Sequence, residues 1–203
     1  MTEMYGNHTS HPRKVRIKNQ DSISLAATLS KSHSVSKSMD LDRGIEQVWE
    51  LISSPGHLLK CHPFCKTNEA LIWGDHGHKD ELVYLNGLTY IRDFLRWSPN
   101  EGFDLLIGEE GGPQSFVDWK LIPISENSCK LTITVFPYLY VGRNRISSLL
   151  LHGAYVRPRL ERYLRSVLSG IDYVLRYREE VPRNHFGRHP WFSQSDSSLG
   201  SNR

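Results

Sequence analysis

The sequence predicts an α+β chain in which a curved antiparallel sheet of about six to seven strands wraps one long helix near the C-terminus. Three observations predict it. Between Gly153 and Arg178 the apolar residues Val156, Leu160, Tyr163, Leu164, Val167, Leu168, Ile171, Val174 and Leu175 recur at spacings of three and four, while Arg159, Arg162, Arg165, Asp172 and Arg176 fall on the opposite face. That is one apolar stripe with the helical period. From Glu69 onward the period changes to two, the mark of half-buried antiparallel strands. Finally, a helix of about 25 residues spans roughly 38 Å, so its stripe needs an apolar partner as wide as a small domain.

The totals bound the function classes. The 203 residues are 38% hydrophobic and 23% charged, with a net charge of +3, and the mean hydropathy is −0.45. This is a globular composition with enough chain for one sizeable core. The mild positive charge lacks the basic stripe with interleaved aromatics that nucleic acid requires. Three cysteines, Cys61, Cys65 and Cys129, do not make a disulfide framework and fit a reducing compartment. No run reaches 18 apolar residues and no secretory signal is evident, so no stable membrane insertion and a cytoplasmic location are expected.

The elements follow in order. Residues 1–33 are polar, with a basic cluster at Arg13, Lys14, Arg16 and Lys18, and are expected to form a flexible extension. Organelle targeting by this extension is the second reading. Val35 to Leu41 reads as a strand, and Asp42 as the N-cap of a helix carrying Ile45, Val48, Trp49, Leu51 and Ile52. Pro55-Gly56 ends that helix, a short second helix covers His57 to Lys60, and Pro63 forces a turn within Cys61–Cys65. Ala70 to Trp73 is a short strand and Gly74 to Lys79 a loop.

Asp80 to Leu85 and Leu88 to Trp97 are strands joined by Asn86-Gly87, which predicts a two-residue type I′ turn. That turn sets Leu85 opposite Leu88, Val83 opposite Tyr90 and Glu81 opposite Arg92. Phe103 to Ile107, Phe116 to Pro123 and Cys129 to Pro137 complete the strands; the last two form a hairpin whose apolar face meets the long helix. Arg143 to His152 is expected to be helical, and Pro158 to kink the long helix or restart it. The aromatics of residues 181–192, among them Trp191 and Phe192, are expected to dock on the domain. Residues 193–203 are Ser-rich and expected to be disordered.

This order of strand, two short helices, antiparallel strands and long helix resembles the helix-grip fold of the START-like superfamily (polyketide cyclases and dehydrases, lipid-transfer domains). The local echoes are Val35–Leu51 with its Val48-Trp49 pair, the turn Leu59–Pro63, and Trp97-Ser98-Pro99 at the end of a strand. The tail Pro182–Phe192 is similar to one in uncharacterised bacterial members. The resemblance covers about residues 35–178 and implies a ligand-binding domain over 34–180. It also implies a cavity between helix and sheet that takes a small hydrophobic ligand such as a lipid, polyketide or aromatic. It carries no universal catalytic signature, so fold does not decide function.

Chemistry-bearing residues are scattered. Cys61, His62 and Cys65 fall within five residues, but zinc sites need a second pair that Cys129 alone does not supply. Asp75 to Asp80 reads as a solvated loop, so neither a metal nor a cofactor is expected. No nucleophile elbow, P-loop or dinucleotide fingerprint occurs. The expected ligand contacts are Tyr84, Tyr90, Arg92, Trp119, His152 and Tyr155. Arg92 either pairs with Glu81 or stabilises an enolate, and His62 either caps its turn or acts as an acid–base group near neutral pH. The expected function is therefore a carrier or sensor of a small apolar ligand. The alternative is a cyclase or dehydratase using Arg92 and a His or Tyr.

Overall fold

The computed structural model describes residues 34–138 and 152–194. The described residues form seven strands in one antiparallel sheet: β1 (Val35–Leu41), β2 (Cys65–Gly74), β3 (Gly77–Tyr84), β4 (Thr89–Ser98), β5 (Gly102–Gly108), β6 (Gln114–Ser125) and β7 (Ser128–Phe136). The spatial order is β1-β7-β6-β5-β4-β3-β2. Helices α1 (Ile45–Ser53) and α2 (His57–Cys61) carry the chain from one sheet edge to the other. A π-helical turn, His152–Val156, leads into α3, Arg157–Tyr177. Pro158 lies in the first turn of α3, at the junction where the π-helical turn passes into the α-helix. The helix expected over Arg143–His152 lies outside the described residues, apart from the backbone of His152.

The strand alternation sets the core. Val117, Trp119 and Leu121 of β6 pair with Val135, Ile133 and Leu131 of β7, and all six are buried. Leu160, Leu164, Val167, Leu168, Ile171 and Leu175 of α3 are buried as well. Rings fill the other end of the concave face. Trp97 lies between Trp49 (5.3 Å), Trp73 (5.5 Å) and Phe103 (5.3 Å), and Phe103 stacks on Trp119 at 5.2 Å.

Several local expectations are corrected. The turn between β3 and β4 has three residues, Leu85, Asn86 and Gly87. The Gly87 N–H donates to the Tyr84 carbonyl at 2.9 Å, and Gly87 takes φ 90°. This is a type I turn closed by a left-handed glycine. The pairs are therefore Leu82 with Tyr90, Val83 with Thr89, Glu81 with Ile91 and Asp80 with Arg92. A shift of one residue reverses which side chains share a face. Asp42 does not cap α1: Gly44 is the N-cap, and Asp42 accepts from Arg176 at 3.2 Å. Gly74–Lys79 is no loop, because β2 and β3 run through it and meet at Asp75-His76 between two positive-φ glycines. There His78 stacks on Trp97 at 3.7 Å between ring centres.

The long helix crosses α2 closely at Gly170, where a Cβ would stand 2.0 Å from the carbonyl oxygen of Cys61. Gly170→Ala would normally favour a helix. Here it is expected to destabilise the protein by about 1–3 kcal/mol, read by chemical denaturation, while Ser169→Ala stays near neutral. A stabilised Gly170→Ala would contradict the packing of α3 on α2.

Candidate functional site

The first half of α3 and the curved sheet do not close on one another. They leave a cavity of about 450 Å³, within the range of small-molecule sites. Its wall is mostly apolar: Leu82, Leu105, Ile107, Val117, Ile133 and Val135 from the strands, and Val156, Leu160, Leu164 and Val167 from the helix side. The segment after α3 supplies two further walls, Trp191 and Phe192. That segment is fastened by backbone bonds from Val181 N–H to the Lys60 carbonyl and from Asn184 N–H to the Pro63 carbonyl, both 2.8 Å. Asn86 Nδ2 of the three-residue turn donates to the Trp191 carbonyl at 2.8 Å. Phe192 is buried and stacks on Tyr84 at 4.3 Å.

Of the residues expected from sequence, Tyr84, Tyr90, Arg92, Trp119 and Tyr155 line this one cavity, and so does His62. Tyr155 is 46% exposed, so the lining reaches the surface beside it. The Arg159 guanidinium carbon lies over its ring at 3.7 Å. The side chain of His152 lies outside the described residues.

The corrected register explains the inward turn of Arg92. Arg92 and Asp80 face each other across β3 and β4 and are both buried. Arg92 donates from Nε to Asp80 Oδ1 at 2.7 Å and from Nη2 to Oδ2, a bidentate pair. The expected partner Glu81 lies one residue out of register, opposite Ile91, and only its backbone carbonyl is used here, accepting from Asn68 Nδ2 at 3.0 Å. Two guanidinium nitrogens are thus committed to a carboxylate that cancels the charge. Asp80 was not singled out in the sequence, because the two-residue turn put it on the other face from Arg92's expected partner.

A second polar group stands on the helix side. The backbone N–H of Phe64 donates to His62 Nδ1 at 3.2 Å, so the imidazole proton sits on Nε2, which donates to the Tyr163 hydroxyl at 2.8 Å. The Tyr163 and Tyr84 hydroxyls are 3.2 Å apart. Burial first, and then the nearby Arg92 charge, push His62 down to about 3. The ring is therefore neutral, with both nitrogens engaged within the protein. Burial raises both tyrosine hydroxyls, so they stay protonated. Tyr163 read in the sequence as one more member of the apolar stripe; its hydroxyl was the only sign of a polar role.

His57, Cys61 and Cys65 are buried as well. His57 Nδ1 donates to the Ser54 carbonyl at 2.9 Å, and burial holds His57 at about 3. Burial pushes the Cys61 and Cys65 thiols up to about 12, so both stay protonated. No group of three His, Cys, Asp or Glu among the described residues could hold a metal ion.

No family model matches the chain, and no curated protein does. Solved structures do. A START superfamily protein from Mycobacterium smegmatis superposes with a TM-score of 0.58 over 71% of this chain and 98% of its own, at 13% identity. The di-domain ARO/CYC BexL of the BE-7585A biosynthetic pathway gives 0.57 over 71% of this chain and 46% of its own, at 14% identity. DynU16, encoded in the dynemicin biosynthetic locus, gives 0.50 over 72% and 48%, at 13% identity. The chain therefore has the START-like helix-grip fold. Among its described residues no helix is long and apolar enough to cross a membrane.

The two depressed histidines set a pH dependence. In the unfolded chain they titrate near 6.5, and in the folded chain near 3. Between these values the unfolded chain binds more protons, so their contribution to stability is full above about 6.5 and is lost as pH falls toward 3. Each histidine contributes a slope of up to about 1.4 kcal/mol per pH unit in that window. Denaturation midpoints from pH 7.5 to 4.5 should fall steeply for the natural chain and less steeply for His57→Gln or His62→Gln. An unchanged slope in both variants would contradict the buried neutral rings.

Proposed function

We propose that the protein binds a small, largely apolar molecule in the 450 Å³ cavity, as a carrier or sensor. The observation that carries this reading is the cavity itself: a largely apolar space lined by the long helix, the sheet and Phe192. The START-like fold supports a ligand-binding role at the level of the fold. Binding is favoured over turnover by the state of the polar groups. Arg92 is tied bidentately to Asp80, and both His62 nitrogens are engaged within the protein. The cyclase or dehydratase reading gave the enolate to Arg92 and the proton to His62 or a tyrosine.

Ile107 lines the cavity and is only partly buried, so Ile107→Trp adds its ring to empty space. Native mass spectrometry of protein made in cells should find an apolar small molecule bound to the natural chain and little or none on Ile107→Trp, with the denaturation midpoint of the variant retained. A natural chain that is empty and takes up no apolar probe would overturn the reading.

A further inference from the structure

We infer that the cavity holds its ligand by an uncharged oxygen acceptor, a carbonyl or hydroxyl oxygen, on the paired hydroxyls of Tyr84 and Tyr163. The inference rests on the binding role proposed above and names the chemistry of the ligand.

It follows from counting protons. His62 Nδ1 accepts from the Phe64 N–H, so the ring carries one proton, on Nε2. With the two hydroxyl protons, the group His62, Tyr163 and Tyr84 has three donors. It makes two internal contacts, His62 to Tyr163 at 2.8 Å and Tyr163 to Tyr84 at 3.2 Å. Each contact uses one proton. The Nε2 proton goes to the Tyr163 oxygen, and the contact between the tyrosines uses one hydroxyl proton, whichever of the two donates. One hydroxyl proton is left over, on Tyr163 or on Tyr84. Among the described residues no acceptor for it is found beyond these contacts, and both tyrosines line the cavity. A buried donor without an acceptor is costly, and the remaining helix and strand walls around it are largely apolar.

The charge balance selects the class of acceptor. The arginine that lines the cavity, Arg92, is neutralised by Asp80, and His62 is neutral. A ligand carboxylate would therefore lose its hydration without gaining a counter-charge. An uncharged ketone, aldehyde or alcohol oxygen loses much less. Phe192, stacked on Tyr84 at 4.3 Å and standing 4.7 Å from Tyr163, seals the pair from water on the side of the C-terminal segment.

Tyr84→Phe leaves one donor available, because Tyr163 then turns its own proton to the ligand; only loss of both hydroxyls removes the anchor. Three probes of similar size separate the cases by calorimetry: 2-acetylnaphthalene, 2-isopropylnaphthalene and 2-naphthoate. The natural chain should bind the ketone at least about tenfold more tightly than the hydrocarbon, and the carboxylate more weakly than the ketone. Tyr84→Phe should keep the ketone preference. Tyr84→Phe/Tyr163→Phe should still bind the hydrocarbon but reduce the preference to less than about threefold. The infrared carbonyl band of the ketone bound to the natural chain should lie below its position in alkane solvent, a readout that needs no variant to fold. Equal affinity for ketone and hydrocarbon, an unshifted carbonyl band, or tightest binding of the carboxylate would overturn the anchor while leaving the cavity role standing. Failure of all three probes to bind would overturn both.

Discussion

A three-residue turn decides which face of the central hairpin meets the long helix. Leu85, Asn86 and left-handed Gly87 close β3 onto β4 with Leu82 opposite Tyr90 and Asp80 opposite Arg92. A two-residue turn would slip the ladder by one position and place Glu81 against Arg92. Because side chains alternate across a strand, that slip changes which residues face each other across the ladder. In the observed register Asp80, Leu82, Tyr84, Tyr90 and Arg92 share the concave face, and Asp80 and Arg92 neutralise each other in the interior. A buried pair of this kind is weak evidence for added stability, since desolvation offsets much of its attraction. Losing one partner, however, strands a charge. The pair therefore specifies the register more than it strengthens the fold.

The cavity is a consequence of the same geometry. At one end of the concave face Trp49, Trp73, Trp97, Phe103 and Trp119 fill the space beneath α1 and α2. At the other end Val156, Leu160, Tyr163, Leu164 and Val167 on the helix side face the strands across the cavity formed by the described residues. The C-terminal segment closes part of it with Trp191 and Phe192 while bonding to the Lys60 and Pro63 carbonyls. The segment thus couples three distant stretches: the turn after α2, the β3–β4 turn and the start of α3. A wall built this way is more readily displaced than a strand, since few main-chain bonds hold it.

Much of this architecture was legible because periodicity is a strong signal. The stripe from Val156 to Leu175 could only be a helix, and the alternation of Val117, Trp119 and Leu121 against Leu131, Ile133 and Val135 could only be paired strands. The register was not legible, because Leu85 is apolar and reads as the last strand residue although it is the first residue of the turn. Arg92, Tyr90, Tyr84 and Trp119 stand out as polar or aromatic groups on strands and His62 as a polar group in the turn after the second helix, and they converge on one cavity. Asp80 and Tyr163 were missed for opposite reasons. Asp80 fell on the wrong face of a slipped ladder, and Tyr163 was absorbed into the apolar stripe it completes. His78 reads as part of a ligand-rich loop, since nothing in the local sequence announces a ring stacked on Trp97 nineteen residues away.

The inward register of the central hairpin underlies the cavity and its polar lining, and a double-mutant cycle measures it directly. Chemical denaturation of Asp80→Ala, Arg92→Ala and the double variant should yield a coupling energy of at least about 2 kcal/mol. The same cycle on Glu81 and Arg92 should yield a value near zero. Coupling between Glu81 and Arg92 with none between Asp80 and Arg92 would contradict the register, and with it the placement of Tyr84 and Arg92 in the cavity.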